Sequence, residues 1–173
     1  MKDNKKMYVM VIVLIVLIMS VTFFWPTPIK TDLRNLSRNS EILKENYEVM
    51  LAEINTWNTN LQGDNLQYSV NTLLGDFQYG VNNVIVPKVE NSITILELTE
   101  LSTPEVIALR EQYINSLELF KEGSEKMLAA VKANDNSMYK EAEALLTQSE
   151  QEIQSFYTNF KTLARKNHFI YFD

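Results

Sequence analysis

The side chains with the potential for acid–base or metal chemistry are mainly carboxylates, because the 173-residue chain has 22 Asp and Glu residues, one histidine and no cysteine. A carboxylate-bridged di-metal centre in a helical bundle needs Glu-x-x-His motifs on facing helices. His168 lies near the end of the sequence and completes no such motif. A single histidine there also argues against a Ser-His-Asp triad. Without cysteine the chain has no thiolate metal site, cysteine nucleophile or disulfide.

Two glycines, Gly75 and Gly80, have the spacing that opens a phosphate-binding loop. The P-loop motif then requires Lys followed by Ser or Thr, but Val81 and Asn82 stand in those positions. Pairs of acidic residues such as those in 118–125 and 141–143 are expected on solvated helix faces, with weak divalent-cation binding as the alternative. We therefore expect no catalytic residue, no cofactor and no metal site, and predict that the protein is not an enzyme.

Four residues are predicted contacts for a ligand or a partner. Arg110 follows Leu109 at the border of an apolar stripe, where a guanidinium group can hold a ligand carboxylate between helices. The alternative is a side chain that runs along the apolar surface and pairs with a nearby Glu. Tyr68 and Tyr79 fall off the stripe of their predicted helix, and Pro87 would free backbone carbonyls for a ligand.

The first element that would position these residues is a helix over 32–61, begun by Thr31 or Asp32 as the N-cap. Charged residues lie between its inward positions, so the helix is predicted to be amphipathic with one packed stripe. The inward positions follow an unbroken 3-4 repeat: Leu33, Leu36, Ser40, Leu43, Tyr47, Met50, Ile54, Trp57 and Leu61.

A second helix is expected from Asp64 to about Val84 and again from Pro87 to about Leu101. Pro87 removes a backbone donor, and two glycines weaken the first half, so the sequence predicts a kinked or broken helix. Residues 93–98 also alternate in a way that fits a β-strand, and this alternative stays open at the level of sequence.

Two further helices have clear start signals. Ser102 and Thr103 precede Pro104, which is the usual pattern at a helix N-terminus, and Asp135 or Asn136 can cap the last helix after a polar turn. Four long helices joined by short turns predict an all-α fold, with an up-down-up-down antiparallel four-helix bundle over residues 32–167.

Residues 7–25 contain no charged side chain and predict a single transmembrane helix. About 19 helical residues span roughly 28 Å, close to the hydrocarbon thickness of a bilayer. The alternative is a cleaved signal peptide, but bulky rings occupy the positions where small residues would be needed. The organisation would then be a basic leader at 1–6, the anchor at 7–25 and a linker at 26–31.

The basic leader favours a cytoplasmic N-terminus and an extracytoplasmic domain, although Lys and Arg are nearly balanced across the two flanks. Phe23, Phe24 and Trp25 would then lie at the outer membrane interface as aromatic anchors. The up-down-up-down topology returns the last helix to the membrane.

The aromatic tail at 168–173 is therefore a second candidate contact with lipid, through Phe169, Tyr171 and Phe172. The alternative for the tail is that it folds over the membrane-proximal end of the bundle.

These features predict a membrane-anchored extracytoplasmic bundle that acts through protein–protein contacts, as an accessory or assembly subunit of a bacterial cell-envelope system. The runner-up is a module that binds a small molecule or a peptide between its helices. The expected partners are the lipid bilayer and another membrane or envelope protein, with a homo-oligomer as a further option. The acidic balance, a net charge of −6, argues against nucleic acid as a partner.

Overall fold

The computed structural model describes residues 26–62 and 70–169, which are helical apart from short turns. No β-strand occurs in these two ranges, so the predicted all-α class is confirmed and residues 93–98 are not a strand. A π-helical turn, Val81–Ile85, joins helix Val70–Gly80 to helix Val86–Glu97. The α-helices are α1 Pro28–Arg38, α2 Ser40–Gln62, α3 Val70–Gly80, α4 Val86–Glu97, α5 Pro104–Ala133 and α6 Asn136–Lys166.

Of the helices in the described ranges, none combines the length and the apolar character needed to cross a bilayer. The predicted anchor at 7–25 lies outside the described residues. The same is true of six residues that were singled out as contacts: Phe23, Phe24, Trp25, Tyr68, Tyr171 and Phe172.

The first long helical unit begins earlier than predicted and is interrupted once. Helix α1 starts at Pro28, whose fixed φ suits the first turn, and Thr27 is its N-cap, since the Thr27 hydroxyl accepts from the Lys30 amide at 3.4 Å. A turn at Asn39 separates α1 from α2. Ser40, which the 3-4 repeat places on the packed stripe, is exposed beside this turn, and its hydroxyl donates to the Ser37 carbonyl at 2.7 Å.

The second unit, α3–α4, continues through Pro87 instead of breaking there. The turn before Pro87 widens to a π-helical turn, in which the Val86 amide donates to the Val81 carbonyl. The wider turn accommodates Pro87, which has no N–H to donate, without ending the helix. The predicted gap between Val84 and Pro87 is therefore wrong. The extra residue moves the buried face onto Ile85, which is fully buried, while Val84 is half-buried.

Side-chain hydrogen bonds between units define their directions. Asn39, just before α2, contacts Thr99, just after α4, while Asn46 of α2 contacts Ser92 of α4, so the two helices are antiparallel. On α5 and α6, residues 112 and 126 contact residues 152 and 141, which makes this pair antiparallel as well. The start of α1, the end of α4, the start of α5 and the end of α6 therefore lie together. We call this the terminal end (residues 28–38, 97–105 and 159–169).

The buried carboxylate of Asp32 joins α1 to the start of α5. It accepts hydrogen bonds from the backbone amides of Ser102 and Thr103, at 2.8 and 2.6 Å, and from the hydroxyls of both residues. The charge lies at the positive end of the α5 dipole. Burial alone would raise the pKa of Asp32. The four hydrogen-bond donors have the larger opposite effect, so the pKa of Asp32 lies below the ordinary 3.8.

The core contains side chains from every helix, and the apolar stripes of the sequence supply most of it. The largest fully buried apolar side chains are Leu33, Met50, Val81, Ile85, Val89, Leu96, Val106, Tyr113, Leu117, Met127 and Ile153.

Helices α5 and α6 approach each other most closely, through small residues that we call the small-residue interface: Ser116, Gly123 and Ala130 of α5, with Ala142 and Ser149 of α6. The Ser149 hydroxyl donates to the Ser116 carbonyl at 2.7 Å. A Cβ atom added to Gly123 would lie 2.9 Å from Leu146 Cγ and 3.2 Å from Leu145 Cβ. The interface therefore leaves no room for a side chain at Gly123.

Helices α5 and α6 both end with a residue in the left-handed conformation, Asn134 and His168, each with φ 52°. After α5, the Asn134 amide donates to the Val131 carbonyl and the Asp135 amide to the Ala130 carbonyl, which is a Schellman motif. Asp135 then caps α6 by accepting from the amides of residues 137 and 138. The tight connection between the two helices depends on the positive φ of Asn134.

We expect Asn134→Gly to stabilise the protein by roughly 0.5–1 kcal/mol, because glycine adopts positive φ without the Cβ strain that asparagine bears. Asn134→Ala should destabilise it by about 1 kcal/mol for the converse reason. The measurement is urea-induced unfolding of the full chain in mild detergent. Equal midpoints for the glycine and alanine variants would contradict the left-handed conformation.

Candidate functional site

An exposed apolar pair lies on the outside of α2 and at the end of α4. Leu98 is 77% exposed and Ile42 is 47% exposed. The Asn39 side-chain amide donates to the Thr99 hydroxyl at 3.0 Å, so the residues next to Asn39 and Thr99 in the sequence lie at a similar height along the two helices. Ile42 lies about one turn beyond Asn39 on the same helix face. Two aliphatic side chains left in water at a similar height on neighbouring helices mark a candidate contact for another molecule, which we call the Ile42–Leu98 patch.

Tyr79 is the third large apolar side chain exposed in the described ranges, at 66%. It lies in the last turn of α3, directly before the π-helical turn, and its carbonyl accepts from the Asn83 side-chain amide at 3.0 Å. The structure therefore places Tyr79 on the outer surface. The helical rise separates it from Leu98 by about 28 Å along α3–α4, so the two are distinct surfaces.

Pro87 is exposed in the first turn of α4 and lies next to a polar cluster. There the Asn46 side chain donates to the Ser92 hydroxyl at 2.9 Å and accepts from Lys88 Nζ at 3.0 Å. Asn46 and Ser92 are 3% and 1% exposed. Because these polar groups bond to one another, the cluster fixes the register of α2 against α4 and does not present a set of free ligand-binding groups.

Arg110 is bound to its neighbour in the sequence. Its Nε and Nη2 atoms donate to the same oxygen of Glu111, at 3.1 and 2.8 Å, and its side chain is 21% exposed. The ion pair between Lys121 and Glu90 gives the register of α5 against α4. Counting helical rises from that pair places Arg110 and Pro87 about 20 Å apart. The structure therefore does not bring the two together in one site.

Three tyrosines from three helices lie in or beside the core: Tyr47 of α2, Tyr113 of α5 and Tyr157 of α6. The Tyr113 ring packs on Phe156 with centroids 4.7 Å apart. Tyr113 is 1% exposed, and its hydroxyl has no hydrogen-bond partner of acceptable geometry.

The hydroxyls of these tyrosines are held neutral. Burial raises the pKa of Tyr113, and the Tyr157 hydroxyl raises it further. Burial, helped by the charge of Glu150, raises the pKa of Tyr47 to about 12. The hydroxyl of Tyr113, which lies near the Tyr157 hydroxyl without a well-formed hydrogen bond, is therefore a neutral polar group inside an aromatic cluster.

We expect Tyr113→Phe to change the free energy of unfolding by less than about 1 kcal/mol, and in the stabilising direction. The variant keeps the ring and removes a buried hydroxyl that has lost its hydration without gaining a partner. Denaturant unfolding measures the change. A loss of stability of 1 kcal/mol or more would mean that a bound water or ligand pairs with this hydroxyl.

Phe169, predicted as a contact with lipid, is half-buried and packs against the core. Its amide donates to the Ala164 carbonyl at 2.9 Å, and the His168 amide donates to the Arg165 carbonyl, so α6 also ends in a Schellman motif. Phe169 thus packs at the terminal end of the domain, while the rest of the predicted tail, 170–173, lies outside the described residues.

Within residues 26–62 and 70–169, no three Asp, Glu or His side chains are grouped so as to hold a metal ion.

Comparison of the chain with protein-family models, with curated proteins and with solved structures found no match.

The periodicity of the sequence did not indicate the Ile42–Leu98 patch. Ile42 lies beside the inward residue Leu43, and Leu98 ends a run of apolar and polar residues that reads as packed. The available signal was that both are aliphatic residues outside the inward stripe of their helix, but single exposed apolar residues are common, and only their grouping in the fold marks a surface.

Proposed function

We propose that this chain is a membrane-anchored helical protein that acts through protein–protein contacts, as an accessory or assembly subunit of a bacterial cell-envelope system. The observation that carries the proposal is the Ile42–Leu98 patch on the outside of a closed apolar core. A partner helix or loop that covers the patch would remove two aliphatic side chains from water. Burial of such side chains on binding is favourable.

The proposal includes an arrangement in the membrane. Residues 7–25 would span the bilayer with the N-terminus in the cytoplasm, and the helical domain would lie outside the cell as an up-down-up-down four-helix bundle. The antiparallel contacts of α2 with α4, and of α5 with α6, support this topology. Because α1 begins at Pro28, only a few residues would separate the bundle from the membrane.

The test is affinity purification of the tagged full chain from gently solubilised native membranes, with quantitative mass spectrometry. We expect a stoichiometric membrane or envelope protein that is reduced about tenfold by Ile42→Glu/Leu98→Glu, corresponding to a loss of about 1.4 kcal/mol in binding. Ala52→Glu/Gln78→Glu is the matched control, since it adds the same charge at exposed positions on α2 and α3. Equal recovery with both double variants would contradict the proposal.

A ligand-binding module between helices is the second candidate, favoured by one observation: the unpaired buried hydroxyl of Tyr113. A small molecule that bonds to this hydroxyl would enter among Tyr47, Tyr113 and Tyr157. The test is a thermal-shift screen of the full chain in detergent. A compound that raises the melting temperature of the wild type but not of Tyr113→Phe supports this function, and a shift that is equal in both argues against this site.

A further inference from the structure

We infer that the terminal end of the domain binds an anionic lipid surface through a basic cluster contributed by α1 and the end of α6. The inference rests on the proposed membrane anchor and adds to it the chemistry of a second contact. The basic cluster consists of Lys30, Arg34 and Arg38 of α1 with Lys161, Arg165 and Lys166 of α6.

The three basic residues of α1 recur at every fourth position, so they form one stripe along the helix. The buried residues of α1 are Asp32, Leu33 and Leu36, which occupy the opposite side. Arg34 and Arg38 are exposed. Packing of α1 on the rest of the domain therefore turns its basic stripe outward.

The basic residues of α6 lie in its last two turns, which the antiparallel packing places beside the start of α5, the same end to which Asp32 joins α1. Arg165 and Lys166 are exposed there. Four acidic residues occur in the same ranges, Asp32, Glu97, Glu100 and Glu105, against six Lys and Arg residues. Asp32 is buried and bonded to Ser102 and Thr103, so its carboxylate lies away from the exposed basic stripe of α1.

The rest of the described domain has the opposite charge, because its acidic residues outnumber its basic ones more than two to one. The charge is thus separated along the long axis of the molecule, with the positive part at the end where the chain would leave the bilayer. A domain of this kind is attracted to anionic head groups at one end and repelled at the other.

Geometry favours lipid over other anionic partners. The predicted membrane segment ends at residue 25, and α1 begins at Pro28. Three residues of extended chain span at most about 10 Å, which is comparable to the Debye length of about 8 Å at physiological ionic strength. Lys30 and Arg34 therefore lie within the field of the head groups whenever the anchor is inserted. An acidic protein would have to compete with that surface.

Packing of Phe169 against the core changes the nature of the expected contact. The ring packs at the terminal end, so the contact that the described residues can make with the membrane is through charged side chains, among which the basic ones are in the majority. The interaction should consequently depend on lipid charge and on salt, unlike insertion of aromatic rings.

The experiment uses the full chain reconstituted into vesicles, with a fluorescent donor on Thr162→Cys in the cysteine-free background and a trace of acceptor-labelled lipid head groups. Thr162 is exposed near the end of α6. We expect energy transfer to be about twofold higher in vesicles with roughly 30 mol% phosphatidylglycerol than in phosphatidylcholine alone. About 0.5 M NaCl should abolish the difference. Equal transfer in the two lipids, or a difference that survives salt, would overturn the inference.

Two variants separate the basic cluster from net charge. Arg34→Glu/Arg38→Glu/Arg165→Glu should remove the dependence on anionic lipid. Its matched control is the same charge change at three exposed lysines elsewhere, Lys44→Glu/Lys132→Glu/Lys140→Glu, which should keep it. Loss of the dependence in both variants would show a net-charge effect and contradict the basic cluster. The salt titration of the wild type gives a result even if the first variant fails to fold.

Flotation with neutral vesicles distinguishes this inference from the proposed function. If the full chain does not float with phosphatidylcholine vesicles, the proposed anchor fails, and the lipid contact fails with it. If it floats but shows no dependence on anionic lipid, only the basic cluster is rejected. If an acidic protein that co-purifies with the tagged full chain lowers the energy transfer to anionic vesicles when it is added, the partner at this end is protein and not lipid.

Discussion

Replacing Asp32 with alanine should destabilise the protein by about 3 kcal/mol, since hydrogen bonds to a charged group contribute about 1.5–3 kcal/mol and unpaired buried donors add a further cost. The carboxylate is 4% exposed and accepts from both amides and both hydroxyls at 102–103. Alanine would leave these donors without a partner at a buried junction. It would also remove the negative charge from the N-terminus of α5.

The matched control is Asp135→Ala, which removes the aspartate that caps α6. Asp135 is exposed, and water can take over its hydrogen bonds, so we expect a loss of about 1 kcal/mol. Denaturant unfolding of the full chain in mild detergent measures both. If Asp32→Ala costs no more than Asp135→Ala, the carboxylate of Asp32 is an ordinary helix cap and does not hold α1 against α5.

Acid pH should reduce the difference between the wild type and Asp32→Ala. The hydrogen bonds from Ser102 and Thr103 lower the pKa of Asp32 in the folded protein below 3.8. Near and below that value the unfolded chain binds more protons at this position than the folded one. The stability from Asp32 is therefore complete above about pH 5 and is lost as the pH falls through the folded pKa. A gap between the two proteins that widens on acidification would contradict this sign.

The sequence predicted the packed faces well where large apolar residues define them. On α5, Val106, Leu109, Tyr113 and Leu117 recur at helical spacing and are buried, and the predicted stripe of α2 is buried from Leu43 to Trp57. These positions follow a repeat set by the geometry of a single helix, so one chain segment carries the information.

The features that periodicity missed depend on contacts between distant segments. Asp32 reads as a local cap for its own helix, but its partners lie at 102–103. Ser116 and Gly123 carry no apolar signal, yet they form the closest helix contact in the described domain. The π-helical turn before Pro87 is a third case, because a proline in a helical pattern predicts a break unless the preceding turn can widen.

The candidate site shows the same division. Tyr79 was placed on the surface because it departs from the stripe of its own helix, and it is exposed. The distance between Arg110 and Pro87 depends on the register of α5 against α4. The sequence pattern of either helix alone does not contain this register. The Ile42–Leu98 patch likewise exists only because the contact between Asn39 and Thr99 aligns two helices.

Replacing Gly123 with valine should destabilise the protein by about 3 kcal/mol, at the upper end of the cost of overpacking a core. The first added carbon would meet Leu146 Cγ at 2.9 Å and Leu145 Cβ at 3.2 Å. Leu145 Cβ is bonded directly to the backbone of α6, so rotating a side chain cannot by itself relieve the close contact with the added carbon. Helices α5 and α6 would have to separate, which stretches the 2.7 Å hydrogen bond from Ser149 to the Ser116 carbonyl.

Gly75→Val is the matched control, because it makes the same substitution at a helical glycine with no atom within 4 Å of the added carbon. Valine has a higher helix propensity than glycine by a few tenths of a kcal/mol, so this variant should be neutral or slightly stabilising. Denaturant unfolding compares the two proteins directly. A similar change in stability for both variants would mean that the space around Gly123 can accept a side chain. The small-residue interface would then not limit the approach of α5 and α6. A large loss confined to Gly123→Val would instead tie the stability of the domain to that close approach, since propensity acts in the same direction at both sites.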